Sequence, residues 1–254
     1  MSAPPQLSVV IITHNEAATI GDCLASVQFA DEIIVVDSGS TDKTVALCRE
    51  RGARVLVRAF TGFGEQKNFA LDQAGGAWVL SVDADERVPA ELREEILAAI
   101  RRPEAWAGYR LARKNFFGDT WIRHGGWYPD YVLRLFRRGR GRFNERTVHE
   151  SVQVNGPVGR LQTPLEHRTC RNLTEFARRQ EHYATLAAAQ LAREGRQATR
   201  TDLWVRPWWT FLKMYVGQAG FLDGIKGWQL AHLYRQYTRC KYRQLAALNR
   251  SLRP

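Results

Sequence analysis

Asp83-Ala84-Asp85 follows directly on the apolar run Ala77-Trp78-Val79-Leu80-Ser81-Val82, and Glu86 comes next. Two carboxylates one residue apart can hold a hard divalent cation, and such a cation can neutralise a diphosphate. The same pattern also serves as a polar loop after a strand, so taken alone it supports both readings equally. Further polar residues gather where two earlier apolar runs end. Thr13-His14-Asn15-Glu16 closes the run at 7–12, and Asp37-Ser38-Gly39-Ser40-Thr41-Asp42 closes the run at 32–36. Asp37 and Asp42 also suit helix capping.

The apolar runs are the elements that must position these groups. Residues 7–12, 32–36, 53–57 and 77–82 are short and rich in Val and Ile, as buried strands are. Between them, Ile20, Leu24 and Val27 recur at helical spacing, and Ser40 or Thr41 can cap a second helix that Gly52 terminates. A third helix fits residues 64–74, closed by Gly75-Gly76, and a fourth starts at Pro89 with Leu92, Ile96 and Ile100 on one face. Strand–helix alternation at this pace implies an α/β domain with a mostly parallel sheet and helices on both faces. In such sheets ligands bind at the carboxyl ends of the strands, where the polar loops would share one rim. No Gly-X-Gly-X-X-Gly follows the first strand and no Walker-type loop is present, which disfavours a dinucleotide dehydrogenase or a P-loop NTPase. Beyond Arg102-Pro103, residues 109–113, 131–137 and 147–154 alternate and are aromatic-rich, as in antiparallel additions to the sheet. From about residue 170 the texture is helical: 173–193 is one helix, and 202–250 holds more, joined around Gly217, Gly220, Gly224 and Gly227.

A chain of 254 residues can bury a full core. Its four Cys lie far apart without a Cys-X-X-Cys pair, against a zinc site or a disulfide scaffold and consistent with a reducing cytosol. The N-terminus carries no basic n-region or apolar h-region, so no secretory signal is expected. No uncharged apolar stretch reaches the length of a membrane-spanning helix. The net charge of +11 is unevenly spread: residues 1–169 hold 22 Lys and Arg against 21 Asp and Glu, whereas 170–254 hold 15 against 5.

Ser8-Val9-Val10-Ile11-Ile12-Thr13-His14-Asn15-Glu16, Val35-Val36-Asp37-Ser38-Gly39-Ser40-Thr41-Asp42 and Ser81-Val82-Asp83-Ala84-Asp85 resemble, in order and spacing, glycosyltransferase family 2. Members of that family have the GT-A fold and use a nucleotide-sugar with a divalent metal, Mg²⁺ or Mn²⁺. Gly64-Glu65-Gln66-Lys67-Asn68-Phe69-Ala70, Trp127-Tyr128-Pro129-Asp130 with Arg134-Leu135-Phe136, and Val148-His149-Glu150 further resemble its lipopolysaccharide-core β-glucosyltransferase branch. The resemblance spans residues 7–165 and, more loosely, the helical remainder. It implies that Asp37, with Thr13, Asn15 and Glu16, contacts the base or ribose of a UDP-sugar. It places Asp83 near the ribose or sugar, makes Asp85 the metal ligand and sets Gln66, Lys67 and Asn68 along the nucleotide pocket. Lys67 could instead belong to a solvated helix face. Glu86 reads as the lead-in to the next helix.

The chemistry implied is direct displacement at an anomeric carbon, with a carboxylate taking the acceptor hydroxyl's proton. Asp130, between aromatic Trp127-Tyr128 and Tyr131, is the first candidate, against the alternative that it only makes a turn after Pro129. Glu150 is the second, although His149 and Glu150 could instead complete the metal site. The expected architecture is a GT-A catalytic domain at 7–168 and a basic helical region at 169–254. In the latter, Trp204, Trp208, Trp209 and Phe211 lie among Arg206 and Lys213, which suits either a membrane interface or packing on the core. The expected partners are a UDP-hexose donor, a lipid-linked saccharide acceptor of the lipopolysaccharide inner core, and an anionic membrane surface. That arrangement puts the enzyme in the cytoplasm, peripheral on the inner face of the membrane. Another glycan or a polyprenyl-linked acceptor is the nearest alternative. A nucleic-acid-binding module built on the basic tail would leave the acidic motifs without a task, so no nucleic acid is expected. A sugar-nucleotide pyrophosphorylase would need a Gly-rich basic loop after the first strand, which is absent.

Overall fold

Four short runs of β-branched and apolar residues make the parallel part of a sheet, as their composition demands. The computed structural model describes residues 6–102, 106–144, 151–170 and 173–251. The alternating half of the chain gives β1 (Leu7–Thr13), α1 (Ile20–Ser26), β2 (Glu32–Asp37), α2 (Thr44–Glu50), β3 (Arg54–Val57), α3 (Phe63–Asp72) and β4 (Trp78–Ser81). A two-residue β5 (Glu86–Arg87) and α4 (Ala90–Arg101) follow. Next come β6 (Gly108–Phe117), β7 (Thr120–Trp121), β8 (Asp130–Arg137), β9 (Gly141–Phe143), β10 (Val152–Val154), β11 (Val158–Arg160) and β12 (Leu165–Cys170). The chain ends in α5 (Leu173–Arg193), α6 (Arg200–Leu212) and α7 (Gly224–Ser251), with a π turn at Lys213–Gly217 and a 3-10 turn at Gly220–Asp223 before α7.

The sheet order is β3-β2-β1-β4-β8-β6-β12-β5, with β7 and β11 also paired to β6. Strands β3, β2, β1 and β4 are parallel, and β8 joins β4 antiparallel. Alternate residues of the parallel strands feed two cores, which is why these runs are apolar throughout rather than alternating. Val9, Ile11, Val35 and Leu80 pack with Leu24, Cys48, Leu92 and Ile96 of α1, α2 and α4. Val10, Ile34, Val36 and Val79 pack with Ala70 and Leu71 of α3 on the opposite face. Helices therefore cover both faces, as the alternation of elements predicts.

Contact patterns divide the chain into two units, Met1–Arg113 with Tyr131–His167 and Lys114–Asp130 with Arg168–Pro254. The first holds the parallel strands and the polar loops at their ends. In the second, α7 packs against both α5 and α6. Its main core joins Phe117, Ile122 and Trp127 to Phe176, Met214 and Leu230.

Several expectations change in detail. The strand expected at 109–113 runs on to Phe117, because Gly118 in the left-handed region (φ 59°) turns it back into β7. Of the strand expected at 147–154, residues 152–154 pair with β9, and 147–150 lie outside the described residues. Ser40 and Thr41 do not cap α2. The N-cap position is Lys43, without a side-chain cap, and Asp42 just before it accepts the Thr44 amide at 2.9 Å. Gly76 is required by a close approach rather than by its torsions: a Cβ there would lie 2.7 Å from the Ser8 amide nitrogen.

Candidate active site

Parallel register sets the first part of the site. Thr13 at the end of β1 lies opposite Asp37 at the end of β2, and the Ser38 amide donates to the Thr13 carbonyl at 2.9 Å. The Asp37 carboxylate is buried and turned into its own loop, accepting the Gly39 and Ser40 amides at 2.9 and 2.8 Å and the Ser40 hydroxyl at 2.5 Å. Asp37 thus shapes the loop between β2 and α2. Asn15 adopts a left-handed conformation (φ 55°), and its Oδ1 accepts the Thr41 amide at 2.8 Å, tying the first loop to the second. The Glu16 amide donates to Thr44 Oγ1 at 2.8 Å, and its carboxylate accepts from Thr19 at 2.7 Å.

Helix α3 turns a polar face inward. Gln66 is fully buried, its amide nitrogen bonded to Ser38 Oγ and the Arg58 carbonyl, while its Oε1 has no partner among the described residues. Thr13 Oγ1 is buried and unpartnered in the same sense. Two buried oxygens left without donors are costly unless a ligand or water completes them. Lys67 is buried, which rules out the solvated-face alternative. Both ends of the Asn68 amide bond the Phe143 main chain, at 3.0 and 2.9 Å, and so fix β9 to α3.

The third part lies just past β4. Lys67 Nζ sits 2.9 Å from one oxygen of Asp83, and the Arg134 guanidinium of β8 bonds the other. Burial alone would raise the pKa of Asp83, but the charges of Arg134 and Lys67 outweigh it and hold the carboxyl well below the usual range. Arg134 also reaches Glu86 Oε1 at 2.6 Å, and burial, which would lower its pKa, loses to the two carboxylates, which raise it. Glu86 is not a mere lead-in. It is fully buried, pairs with Arg134, lies 3.8 Å from Arg113 and accepts the Asp83 amide at 2.9 Å.

Asp85 points elsewhere. Its Oδ2 lies 3.2 Å from Nε2 of His167 on β12, a residue brought there because Glu86 and His167 are paired across β5 and β12. Burial lowers the His167 pKa, but the hydrogen bond and charge of Asp85 prevail and raise it above the ordinary imidazole value. Asp83 and Asp85 side chains keep 28% and 24% of their surface exposed, so both remain reachable from solvent. Beneath them, burial and the three nearby carboxylates push the Cys23 thiol well up, and burial pushes Cys48 up to about 11, so neither is a nucleophile.

These donors fit the metal that the family resemblance implies. Among the described residues no group of three His, Cys, Asp or Glu is arranged to hold an ion. The Asp85 carboxylate and His167 imidazole converge as two donors, a set suited to a borderline ion such as Mn²⁺; Mg²⁺ would use the carboxylate alone. Asp83 is a poor ligand because both its oxygens are already bound by cations. His149 and Glu150 lie outside the described residues. Asp130 is the first residue of β8, four before Arg134.

The sequence assigns no site role to Glu86, Arg134 or His167, although Arg134 lies in the motif Arg134-Leu135-Phe136. The signal for Arg134 was present: a cation inside the apolar run Leu133 to Phe136 needs a buried partner. Nothing local marks His167, whose role arises from a strand pairing eighty residues apart.

A parallel sheet extended by an antiparallel strand, with acidic residues gathered where β1, β2 and β4 end, defines a GT-A glycosyltransferase. Residues 8–165 match the model of glycosyl transferase family 2, and the chain belongs to that family. It is 33% identical over 240 residues to the lipopolysaccharide core biosynthesis glycosyltransferase LpsC of Rhizobium meliloti, with 87% of each chain covered. An uncharacterized glycosyltransferase of Rickettsia felis is 27% identical, over 97% of this chain and 90% of that one. Among solved structures, S. aureus TarS 1–349 aligns with a TM-score of 0.49 at 17% identity, over 98% of this chain and 92% of that one.

Proposed function

We propose that this glycosyltransferase moves a hexose, glucose first among the candidates, from a UDP-sugar to a lipid-anchored saccharide of the lipopolysaccharide inner-core type, with inversion at the anomeric carbon. The observation that carries the reading is the division of labour past β4, where Asp83 is neutralised by Lys67 and Arg134 while Asp85 is left to His167. Two cations beside an acidic pair suit a diphosphate that arrives with a divalent ion. The buried, unpartnered Thr13 Oγ1 and Gln66 Oε1 suit the polar edge of a nucleoside. Asp37 acts through the Gly39 and Ser40 amides that it orients, and Asn15 and Glu16 hold the facing loop.

Asp85 would hold Mg²⁺, or Mn²⁺ together with His167, and His149 is a further candidate ligand. When bound, the ion stabilises the charge developing on the departing UDP. Lys67 and Arg134 hold the Asp83 carboxylate and would help orient the diphosphate. A carboxylate then takes the proton of the attacking hydroxyl, Asp130 first and Glu150 second, and attack opposite the leaving group inverts the centre. The lipid-anchored acceptor is supported by the similarity to the Rhizobium glycosyltransferase of lipopolysaccharide core biosynthesis. It is supported also by the exposed Trp204, Trp209, Leu222 and Ile225 in a strongly basic segment, which suits peripheral attachment to an anionic membrane on the cytoplasmic side.

The test is UDP release measured over several UDP-hexoses with a truncated lipopolysaccharide acceptor and Mg²⁺ or Mn²⁺. Acceptor-dependent release from one donor is expected. Asp130→Asn should abolish transfer with UDP binding nearly intact, and a fully active Asp130→Asn enzyme would refute that choice of base.

A further inference from the structure

The helical unit holds a cleft that the glycosyl-transfer reading does not use. Its volume is about 470 Å³, within the range of small-molecule sites. Loop 123–127 forms one wall, fixed by Asp223, which accepts the His124 amide at 2.8 Å, and by Asn115, which bonds the Trp127 carbonyl at 2.9 Å. Helices α6 and α7 and the π turn at Lys213–Gly217 form the others, bringing Arg206, Lys213 and Lys241 to one space together with Trp127, Trp209 and Tyr234.

The charge in this cleft is unbalanced. Asp202 is the carboxylate beside it, and its oxygens are already taken by Arg206 at 2.9 Å, Arg196 at 3.5 Å and Thr199. Among the described residues Lys213 and Lys241 have no ion-pair partner. Lys241 lies instead over the Tyr242 ring, 4.9 Å from its centroid. Burial above all, and then the neighbouring Arg206, push the Lys241 pKa down against the opposing charge of Asp202. An anion in the cleft would relieve the repulsion from Arg206.

The remaining lining is unlike that of a bare phosphate site. Thr210, Thr238 and Gln218 also line the cleft, the two hydroxyls donating to the Arg206 and Tyr234 carbonyls and keeping their acceptor capacity. Apolar faces with interspersed hydroxyl-bonding groups match the two sides of a sugar ring. We infer that this cleft is a second ligand site, separate from the nucleotide rim, which binds a phosphorylated saccharide, its phosphate on Arg206, Lys213 and Lys241 and its ring against Trp127 and Trp209. The inference stands independently of the nucleotide-sugar reading, because none of its residues belongs to the rim.

Calorimetric titration of the full chain tests it, with glucose-6-phosphate, glucose and inorganic phosphate as probes. Saturable one-to-one binding of glucose-6-phosphate is expected, with glucose and phosphate each weaker. Lys241→Gln and Lys213→Gln should each weaken it about tenfold, the effect of losing one charged contact. Lys213 is exposed and makes no ion pair, so its variant keeps the fold even if an Arg206 variant, which would strand Asp202, does not. UDP binding by both variants should be unchanged, which separates a failure here from a failure at the rim. No binding of glucose-6-phosphate, equal binding by the variants, or equal binding of glucose or of phosphate alone would overturn the inference. Phosphatidylcholine vesicles doped with phosphatidylinositol phosphate identify the source. Lys241-dependent vesicle binding displaced by glucose-6-phosphate indicates a headgroup carried on lipid, and binding of the free sugar phosphate alone indicates a soluble one.

Discussion

The acidic cluster past β4 separates residues that look alike in the sequence. Glu86 is fully buried between Arg134 and the Asp83 amide, so its charge is structural. Glu86→Gln removes one side of a buried pair and should cost about 3 kcal/mol, read as a fall in the urea midpoint. Asp85 is part-exposed and bonds His167, so Asp85→Asn should change stability by less than about 1 kcal/mol. Its activity should nevertheless be lost at any Mn²⁺ concentration. An Asp85→Asn enzyme that keeps wild-type turnover would remove Asp85 from the site. The Asp-X-Asp pair was legible because two carboxylates at a strand end are a local pattern. The roles within it were not, because they depend on which strand arrives beside each carboxylate: β8 brings Arg134 to Asp83, and β12 brings His167 to Asp85.

At the scale of elements, the four parallel strands and their helices were readable from β-branched runs and helical spacing, since both signals are local. Helix α3 was readable as a helix but not in its orientation, because its inward face carries Gln66, Lys67 and Asn68 in place of apolar residues. The Gly75-Gly76 close of that segment now has a steric cause. Gly76→Ala would press a methyl group on the Ser8 main chain and should cost about 1–3 kcal/mol by chemical denaturation, an effect absent at the open Gly21. The start of α6 makes a separate prediction. Asp202 closes a capping box with Thr199. Burial would raise its pKa, but bonds from the Thr199 backbone and side chain, with the charges of Arg206 and Arg196, lower it. A lowered folded pKa contributes stability that is full above the unfolded value, about 4, and is lost as pH falls through the folded one. Asp202→Asn should therefore cost about 1 kcal/mol at neutral pH and flatten the loss of stability below pH about 4.

Across the whole molecule, charge and apolar exposure coincide in the last third of the chain. Ile225 and Trp209 are 71% and 63% exposed there, in the segment that carries nearly all of the net charge. Among the described residues no helix is long and apolar enough to cross a membrane. Flotation with phosphatidylglycerol vesicles should show binding that weakens with salt and with Trp209→Ser and Ile225→Ser together; salt-independent or absent binding would count against a peripheral enzyme. The central claim, that the rim formed by β1, β2 and β4 holds a nucleoside diphosphate with a divalent ion, is tested most directly by titrating UDP calorimetrically with and without Mn²⁺. Mn²⁺ should strengthen UDP binding by about tenfold or more in the native chain and leave it unchanged in Asp85→Asn. UDP binding indifferent both to Mn²⁺ and to that substitution would contradict the account.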